Sequence, residues 1–486
     1  QAQDGQTNLR TPYLLSPPAL GAAMRITACG ASACLLALGR GALGLHTAIQ
    51  MHRQAPEPIR QALSNFMDLQ YSGNITIGGQ AMTGVMDTGS FELVVFSKSC
   101  STSCGVAAKY DEQSSSTFRR GNYTTVHDYG SGSCQSQDGR DFVEVGSMSA
   151  QQQDLWLAKQ CQMPLLDTAH FNAIVGLGPP GEPEFMARWN IKQLQIQVDQ
   201  FKALGEKVPQ SIAAQKEAAE EMLKAVMGKR ALLENLQLHT FSTCFGKQPG
   251  SAAWVVWSDR YRAGQPGVMR LPVAGDITWS VKLGNVGLGS KTFACAAQDC
   301  VAIVDTGTSL IGVASDAYDA AYETLNSGNY ELDCSDLSHF PDLTLTLGGQ
   351  QLSLPPSAYI GSIYGQMSEK VAGFMPRRNL SGSVSVSAAP CQLLLMDLGQ
   401  EMTTLGAMWI MGMPFFRQYY TTFDFGNGHG DRSILVMPPS PTCEPDLQDS
   451  VQTFKNRAKD DVTPRQVDAS KIMLPRWLQG RTDSKL

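Results

Sequence analysis

The sequence predicts an all-β protein built from two related lobes, with one helical segment inserted. Three observations carry this. From about residue 68 onward, short apolar runs at 75–77, 84–86, 93–96 and 142–145 alternate with glycine-marked turns, which is the rhythm of strands. Between about 182 and 238 that rhythm stops: Gln, Lys, Glu and Ala dominate, and Ala218, Met222, Ala225 and Val226 recur at helical spacing, so one or two helices are expected there. Finally, Gly84-Val85-Met86-Asp87-Thr88-Gly89-Ser90 and Ala302-Ile303-Val304-Asp305-Thr306-Gly307-Thr308 are one pattern written twice, 305 − 87 = 218 positions apart. Each copy is followed downstream by two apolar residues and a glycine, Ile174-Val175-Gly176 and Ile410-Met411-Gly412, and such internal repetition implies two homologous lobes.

With 43% hydrophobic and 17% charged residues, the 486-residue chain is able to bury a large core and divide into several units. Residues 1–67 read as a leader, 68–240 as a first lobe carrying the insertion at about 182–238, 241–443 as a second lobe, and 444–486 as a polar, loosely ordered tail without strand alternation. Met24 is a candidate initiator. Arg25 and the small, apolar run at 28–38 follow it in the pattern of a signal peptide, which leaves room for a short propeptide before residue 68. Arg53 and Arg60 in that stretch are solvated charges by default, the alternative being contact with the carboxylates of Asp87 and Asp305 before the leader is removed. No apolar run reaches membrane-spanning length, so a soluble monomer without a stable membrane span is expected.

A net charge of −6 with no long basic run argues against nucleic acid and leaves protein or peptide as the partner. The twelve cysteines are too dispersed for zinc-finger spacing and read as oxidised pairs. Asn-x-Ser/Thr triplets at Asn74, Asn122 and Asn379 suit a secretory route. The expected location is outside the cell or in the lumen of an acidic vesicle or vacuole. The charged insertion reads as a solvated helical excursion, with a docking surface as the alternative.

In each repeat an apolar strand delivers an Asp into a tight turn, where Gly89 and Gly307 let the backbone approach the carboxylates. Lobes related by a pseudo-dyad bring Asp87 and Asp305 face to face. Two carboxylates sharing one site cannot both ionise cheaply, so one keeps a proton. The pair then positions a water, with the ionised member as general base and the protonated member as general acid, and needs no metal, cofactor or covalent nucleophile. Ser90 and Thr308 are expected to donate hydrogen bonds to the carboxylates.

Over roughly residues 68–440 the chain resembles the pepsin family. Met67-Asp68-Leu69-Gln70-Tyr71 and Gly73-Asn74-Ile75-Thr76-Ile77-Gly78 resemble the opening of the mature enzymes, and Tyr129-Gly130-Ser131-Gly132-Ser133 the flap hairpin. Cys334, Phe340-Pro341-Asp342-Leu343, Leu354-Pro355-Pro356-Ser357-Ala358-Tyr359 and Phe416-Arg417-Gln418-Tyr419-Tyr420-Thr421-Thr422-Phe423-Asp424 extend the likeness through the second half. The resemblance implies a bilobal double β-barrel with a cleft between the lobes and an acid-favoured aspartic endopeptidase preferring large apolar residues on both sides of the cut. It implies Asp87 and Asp305 as the catalytic pair and Tyr129 as the flap tyrosine. Thr88 and Thr306 would cross-brace the two loops, and Gly130, Gly307 and Ser309 would contact substrate backbone. A catalytically silent peptide or protein binder on the same fold is the alternative.

The chain departs from the family at Val94, where a tryptophan normally bonds the flap tyrosine, and at Met413, where an aspartate is common. The resemblance also implies the disulfides Cys100–Cys104, Cys295–Cys300 and Cys334–Cys391. With the leader residues Cys29 and Cys34 set aside, four cysteines remain, which allow three connectivities. Cys134 with Cys161, from strands of one lobe, and Cys244 with Cys443, as in membrane-anchored relatives of pepsin, are the pairs chosen. Four buried free thiols are the alternative.

Overall fold

The computed structural model describes residues 57–100, 102–328, 334, 336–375, 391–400, 402–428, 430–447 and 464–476. Residues 1–56, with Met24, Cys29, Cys34 and Arg53, and the triplet at Asn379 lie outside the described residues.

The first strand, β1 (Ile59–Phe66), lies upstream of the boundary expected at residue 68 and is part of the central sheet. Its first half pairs antiparallel with Ala253–Trp257 and its second half with β2 (Gln70–Ile77), so one strand ties the two halves of the chain together. Arg60 on this strand bonds Glu444 and lies 3.9 Å from the Trp254 ring, so it does not meet the carboxylates as the alternative reading allowed. The turn after β1 places Met67 and Asp68 at positive φ. Asp68 is held there by Asn65 Nδ2 at 2.7 Å and by Arg465 at 2.8 Å.

In the first lobe, β3 (Gln80–Asp87) delivers the first Asp at its C-terminal end. It pairs parallel with Ala173–Gly176, in register from Gly84 with Ala173 to Asp87 with Gly176, and that strand pairs antiparallel with β4 (Leu93–Phe96). The second lobe repeats the device: Cys300–Val304 pairs parallel with Gly406–Met411, which meets Ile311–Val313 antiparallel at Gly312 and Ile410. All four residues of Ala173–Gly176 are buried, as are all five of Cys300–Val304. A strand covered on both faces reads as a continuous apolar run, which is why these segments carry no polar alternation.

Strands from both halves join in a thirteen-stranded sheet, while a nine-stranded sheet builds most of the second lobe. Between them packs an aromatic cluster in which Phe241 stacks on Phe423 at 4.7 Å and Trp279 sits 5.1 Å from the same ring. Trp279 Nε1 donates to the Leu177 carbonyl at 2.9 Å, a buried bond between the lobes.

The insertion forms two long helices, α1 (Glu182–Ala203) and α2 (Gln210–Val226), and a single turn at Leu232–Asn235. Ala225 and Val226 are buried and Met222 half-buried, whereas Ala218 faces solvent, so only the last turns of α2 pack on the lobe. Lys229 just beyond them anchors the segment through a buried ion pair with Asp138 at 2.7 Å and stands 4.4 Å from the Trp156 ring.

The expectation of a loosely ordered tail is corrected for residues 464–476. Arg465–Asp468 forms a strand parallel to Ile360–Tyr364, followed by a 3-10 turn at Ala469–Lys471 and the buried residues Ile472, Met473, Leu474 and Pro475. Strand alternation failed as a detector because the strand has four residues. The apolar run Ile472-Met473-Leu474-Pro475 was the available signal.

Among the described residues, five disulfides join Cys100 to Cys104, Cys134 to Cys161, Cys244 to Cys443, Cys295 to Cys300 and Cys334 to Cys391. Cys134 and Cys161 stand opposite each other on paired strands. Among the described residues no helix is long and apolar enough to cross a membrane.

Candidate active site

Asp87 and Asp305 meet where the two Asp-bearing strands end, with 7% and 1% of their surfaces exposed. Backbone closeness is what makes this meeting possible. A Cβ on Gly89 would stand 2.7 Å from the Asp305 carboxyl, and one on Gly307 would stand 2.1 Å from Asp87 Oδ1, so any side chain at either position would drive the pair apart. Each glycine N–H also donates to the carboxylate of its own loop, Gly89 to Asp87 Oδ1 at 2.9 Å and Gly307 to Asp305 Oδ1 at 2.7 Å.

The loops are locked by reciprocal bonds. Thr88 N–H donates to Thr306 Oγ1 at 3.0 Å, and Thr306 N–H to Thr88 Oγ1 at 2.9 Å. Each hydroxyl then donates onward to a carbonyl across the interface, Thr88 to Val304 at 2.9 Å and Thr306 to Met86 at 2.6 Å. All four residues are buried, so these bonds act without competition from water.

The hydroxyls after the glycines behave differently. Thr308 Oγ1 donates to Asp305 Oδ2 at 2.5 Å. Ser90 Oγ is buried without a hydrogen-bond partner among the described residues, which corrects the expectation that it donates to the first carboxylate. Burial, and next the charge of Asp87, push the Asp305 carboxyl well above the usual carboxylate range, against the opposing bonds from Thr308 and Gly307. A carboxyl pair in which one member retains a proton offers a donor and an acceptor to the same water.

The hairpin of β5 (Arg119–Tyr129) and β6 (Gly132–Val145) turns at Gly130-Ser131 over this pair. Tyr129 is buried, and its hydroxyl has no hydrogen-bond partner among the described residues. Val94, fully buried in β4, supplies no donor. Burial raises the Tyr129 phenol above its ordinary value, so it stays protonated. Met413 is likewise buried and uses only its backbone here, its N–H donating to the Thr308 carbonyl at 2.9 Å.

The predicted backbone-binding residues are engaged by the chain's own C-terminal segment. Ser309 N–H donates to the Met473 carbonyl at 3.1 Å, and Met473 N–H donates to Ser309 Oγ at 2.8 Å. From the hairpin, Gly130 N–H donates to the Pro475 carbonyl at 3.0 Å, while Ser131 Oγ accepts from Leu474 N–H at 2.9 Å. Asp87, Asp305, Gly307, Tyr129, Leu474 and Arg476 line a common cavity. The residue roles that the sequence did not single out are those of Ser131, Glu92 and 472–476.

A duplicated Asp loop, cross-braced at its threonines and covered by a hairpin, agrees with the sequence profile that matches the chain. The eukaryotic aspartyl protease family is matched over residues 70–205 and 260–430. The chain belongs to this family. Its aspartyl protease relatives include pepsin A of Bos taurus, 29% identical over 382 residues that cover 76% of this chain and 84% of the relative. Pepsin A of Gallus gallus is 28% identical over 374 residues, covering 76% and 84% respectively. The family match begins after β1 and leaves out 206–259, which holds α2 together with the sheet strands Thr240–Phe245 and Ala253–Trp257.

Proposed function

We propose that the chain is an aspartic-type endopeptidase that hydrolyses peptide bonds with a water activated between Asp87 and Asp305. The observation that carries this reading is the buried carboxyl pair, whose Asp305 member holds its proton above the usual range. In the ionised member the reading finds the base that takes a proton from water, and in the protonated member the acid that donates to the carbonyl oxygen. Thr88, Gly89, Thr306, Gly307 and Thr308 hold the pair, and Tyr129, Gly130, Ser131 and Ser309 line the path of the substrate. Activity is acid-favoured because the pair needs one proton, with apolar residues preferred around the cut. Five disulfides support an oxidising compartment, outside the cell or within an acidic lumen.

Cleavage of an unfolded protein between pH 2 and about 6, blocked by a statine-type transition-state analogue, is the expected result. Cleavage that is fastest above neutral pH, or that ignores the analogue, overturns the reading. A binder that holds peptides without cutting them is favoured by one observation, the peptide segment already seated beside the pair. The same assay separates the two, since a silent binder takes the analogue and cuts nothing.

A further inference from the structure

Residues 472–476 run between the hairpin and the second lobe, with backbone bonds on both sides. Ser309 makes a two-bond clamp on Met473, Ser131 accepts from Leu474, and Gly130 donates to Pro475. A Cβ on Gly130 would stand 2.5 Å from the Pro475 oxygen, so the contact depends on that glycine. These bonds are made to main chain and are blind to sequence. Selectivity enters at Arg476.

Arg476 Nη1 lies 2.6 Å from Glu92 Oε2, with both side chains largely buried, at 15% and 9% exposure. Its guanidinium carbon also lies 5.3 Å from the Phe91 ring centroid and 5.9 Å from that of Tyr129. A carboxylate flanked by two aromatic rings suits a planar, weakly hydrated cation. Without that cation Glu92 would be a buried, uncompensated charge, since the other group facing it, His127, is held neutral by burial, its pKa down to about 4.

We propose that Glu92, Phe91 and Tyr129 form a subsite of the cleft that selects an arginine side chain, and that the chain's own Arg476 fills it, making residues 472–476 a built-in competitor for peptide substrates. The inference rests on the peptidase reading for the word substrate, but the occupation of the cleft does not. The peptide enters with its N-terminal residues on the second lobe at Ser309 and its arginine on the first lobe at Glu92, passing the carboxyl pair between them.

The test uses the full chain and two readouts that need no turnover: hydrogen exchange at the Met473 and Leu474 amides, and binding of a fluorescein-labelled statine peptide. Arg476 lies outside the described strands and helices, so Arg476→Ala is expected to leave the fold intact. It is expected to speed exchange at both amides and to tighten the statine peptide about tenfold or more, by loss of a charge-assisted bond. The double variant Glu92→Arg with Arg476→Glu restores slow exchange and weak binding. On the Arg476→Ala protein, an acetylated Ile-Met-Leu-Pro-Arg peptide displaces the statine ligand at a concentration about tenfold lower than its alanine-ended counterpart, and this preference vanishes when Glu92→Gln is added. Exchange and binding unchanged by Arg476→Ala, or equal displacement by the two peptides, overturns the proposal. Casein hydrolysis is measured on the same proteins. Hydrolysis without any gain on Arg476→Ala leaves the peptidase reading standing and this one refuted, whereas a gain in statine binding with no hydrolysis in any variant does the reverse.

Discussion

The two Asp-Thr-Gly loops share their backbone and their cross-brace, yet only one of them bonds its carboxylate through the hydroxyl three residues on. Thr308 reaches Asp305 at 2.5 Å, while Ser90 leaves Asp87 to the Gly89 N–H and its own hydroxyl unpartnered among the described residues. Duplication therefore supplies the geometry, while burial and the charge of Asp87 keep the proton on Asp305 and the Thr308 bond works against them. A pair of equal carboxyls in equal surroundings has no fixed acid and base.

The largest break in the comparison removes a carboxylate. Asp87→Asn and Asp305→Asn each keep the shape of the site and delete one half of the acid–base couple, so each is expected to lower kcat by about a thousandfold or more with the fold intact. Turnover of an unfolded protein by either purified variant, alongside its circular dichroism spectrum, checks this. Equal losses mean that the two loops serve as one unit despite their asymmetry.

Next come the symmetric bonds. Thr88→Ala and Thr306→Ala each strand the partner loop's buried N–H and remove a hydroxyl that also reached a carbonyl. Each is expected to cost about 2–4 kcal/mol in stability, measured by urea unfolding. Because the brace is reciprocal, the two values should agree closely, and Thr→Ser at either position should restore most of the loss. A large difference between the two would show that the brace is symmetric in geometry only.

The pH dependence of stability separates Asp305 from the other buried carboxylate of the cleft, Glu92. Burial and the Asp87 charge raise Asp305, so the folded chain holds that proton more tightly than the unfolded one does. Its contribution is full at pH below the ordinary carboxylate range and is lost as pH rises through the folded value. Glu92 has the opposite sign. Burial opposes its ionisation, but Arg476 and next His127 lower it from 4.5 to about 2, so its contribution is present above 4.5 and is lost as pH falls towards 2. That contribution is on the order of 3 kcal/mol at neutral pH. Thermal midpoints between pH 2 and 7 should show Asp305→Asn gaining on the native chain as pH rises and Glu92→Gln losing ground over the same range. The ion pair that holds Arg476 should thus persist through mildly acid conditions.

Much of this arrangement is legible in the residues. The 218-position repeat placed both Asp loops and the two lobes, because an apolar strand ending in Asp-Thr-Gly has few alternatives once it occurs twice. The helices of the insertion were also readable from local pattern, and the Gly130-Ser131 turn from the family resemblance. What escaped was decided by contacts distant in sequence. Nothing local distinguishes Ser90 from Thr308, since both are hydroxyls after a glycine and only the packing around them aims one and not the other. Arg465 pairs with Asp68 across 397 positions, which no periodicity reports. The strand at Arg465–Asp468 is four residues long, so tail composition outweighed it.

The smallest predicted effect tests the asymmetry itself. Thr308→Ala removes a bond that favours the ionised form of Asp305, so the Asp305 carboxyl, already raised by burial and by Asp87, rises further. The alkaline limb of kcat/KM for peptide cleavage marks the loss of the shared proton, and it should move to higher pH in this variant by several tenths of a unit to about one unit. Ser90→Ala removes a hydroxyl that bonds neither carboxylate. It should leave the same limb in place and change stability by about 0.5 kcal/mol or less, since the lost group had no buried partner to strand. Thr308→Ser keeps the donor and should behave like the native chain, which separates loss of the bond from loss of packing. If Ser90→Ala shifts the limb as far as Thr308→Ala does, the two hydroxyls act alike on the pair and the difference in their bonding does not set its titration.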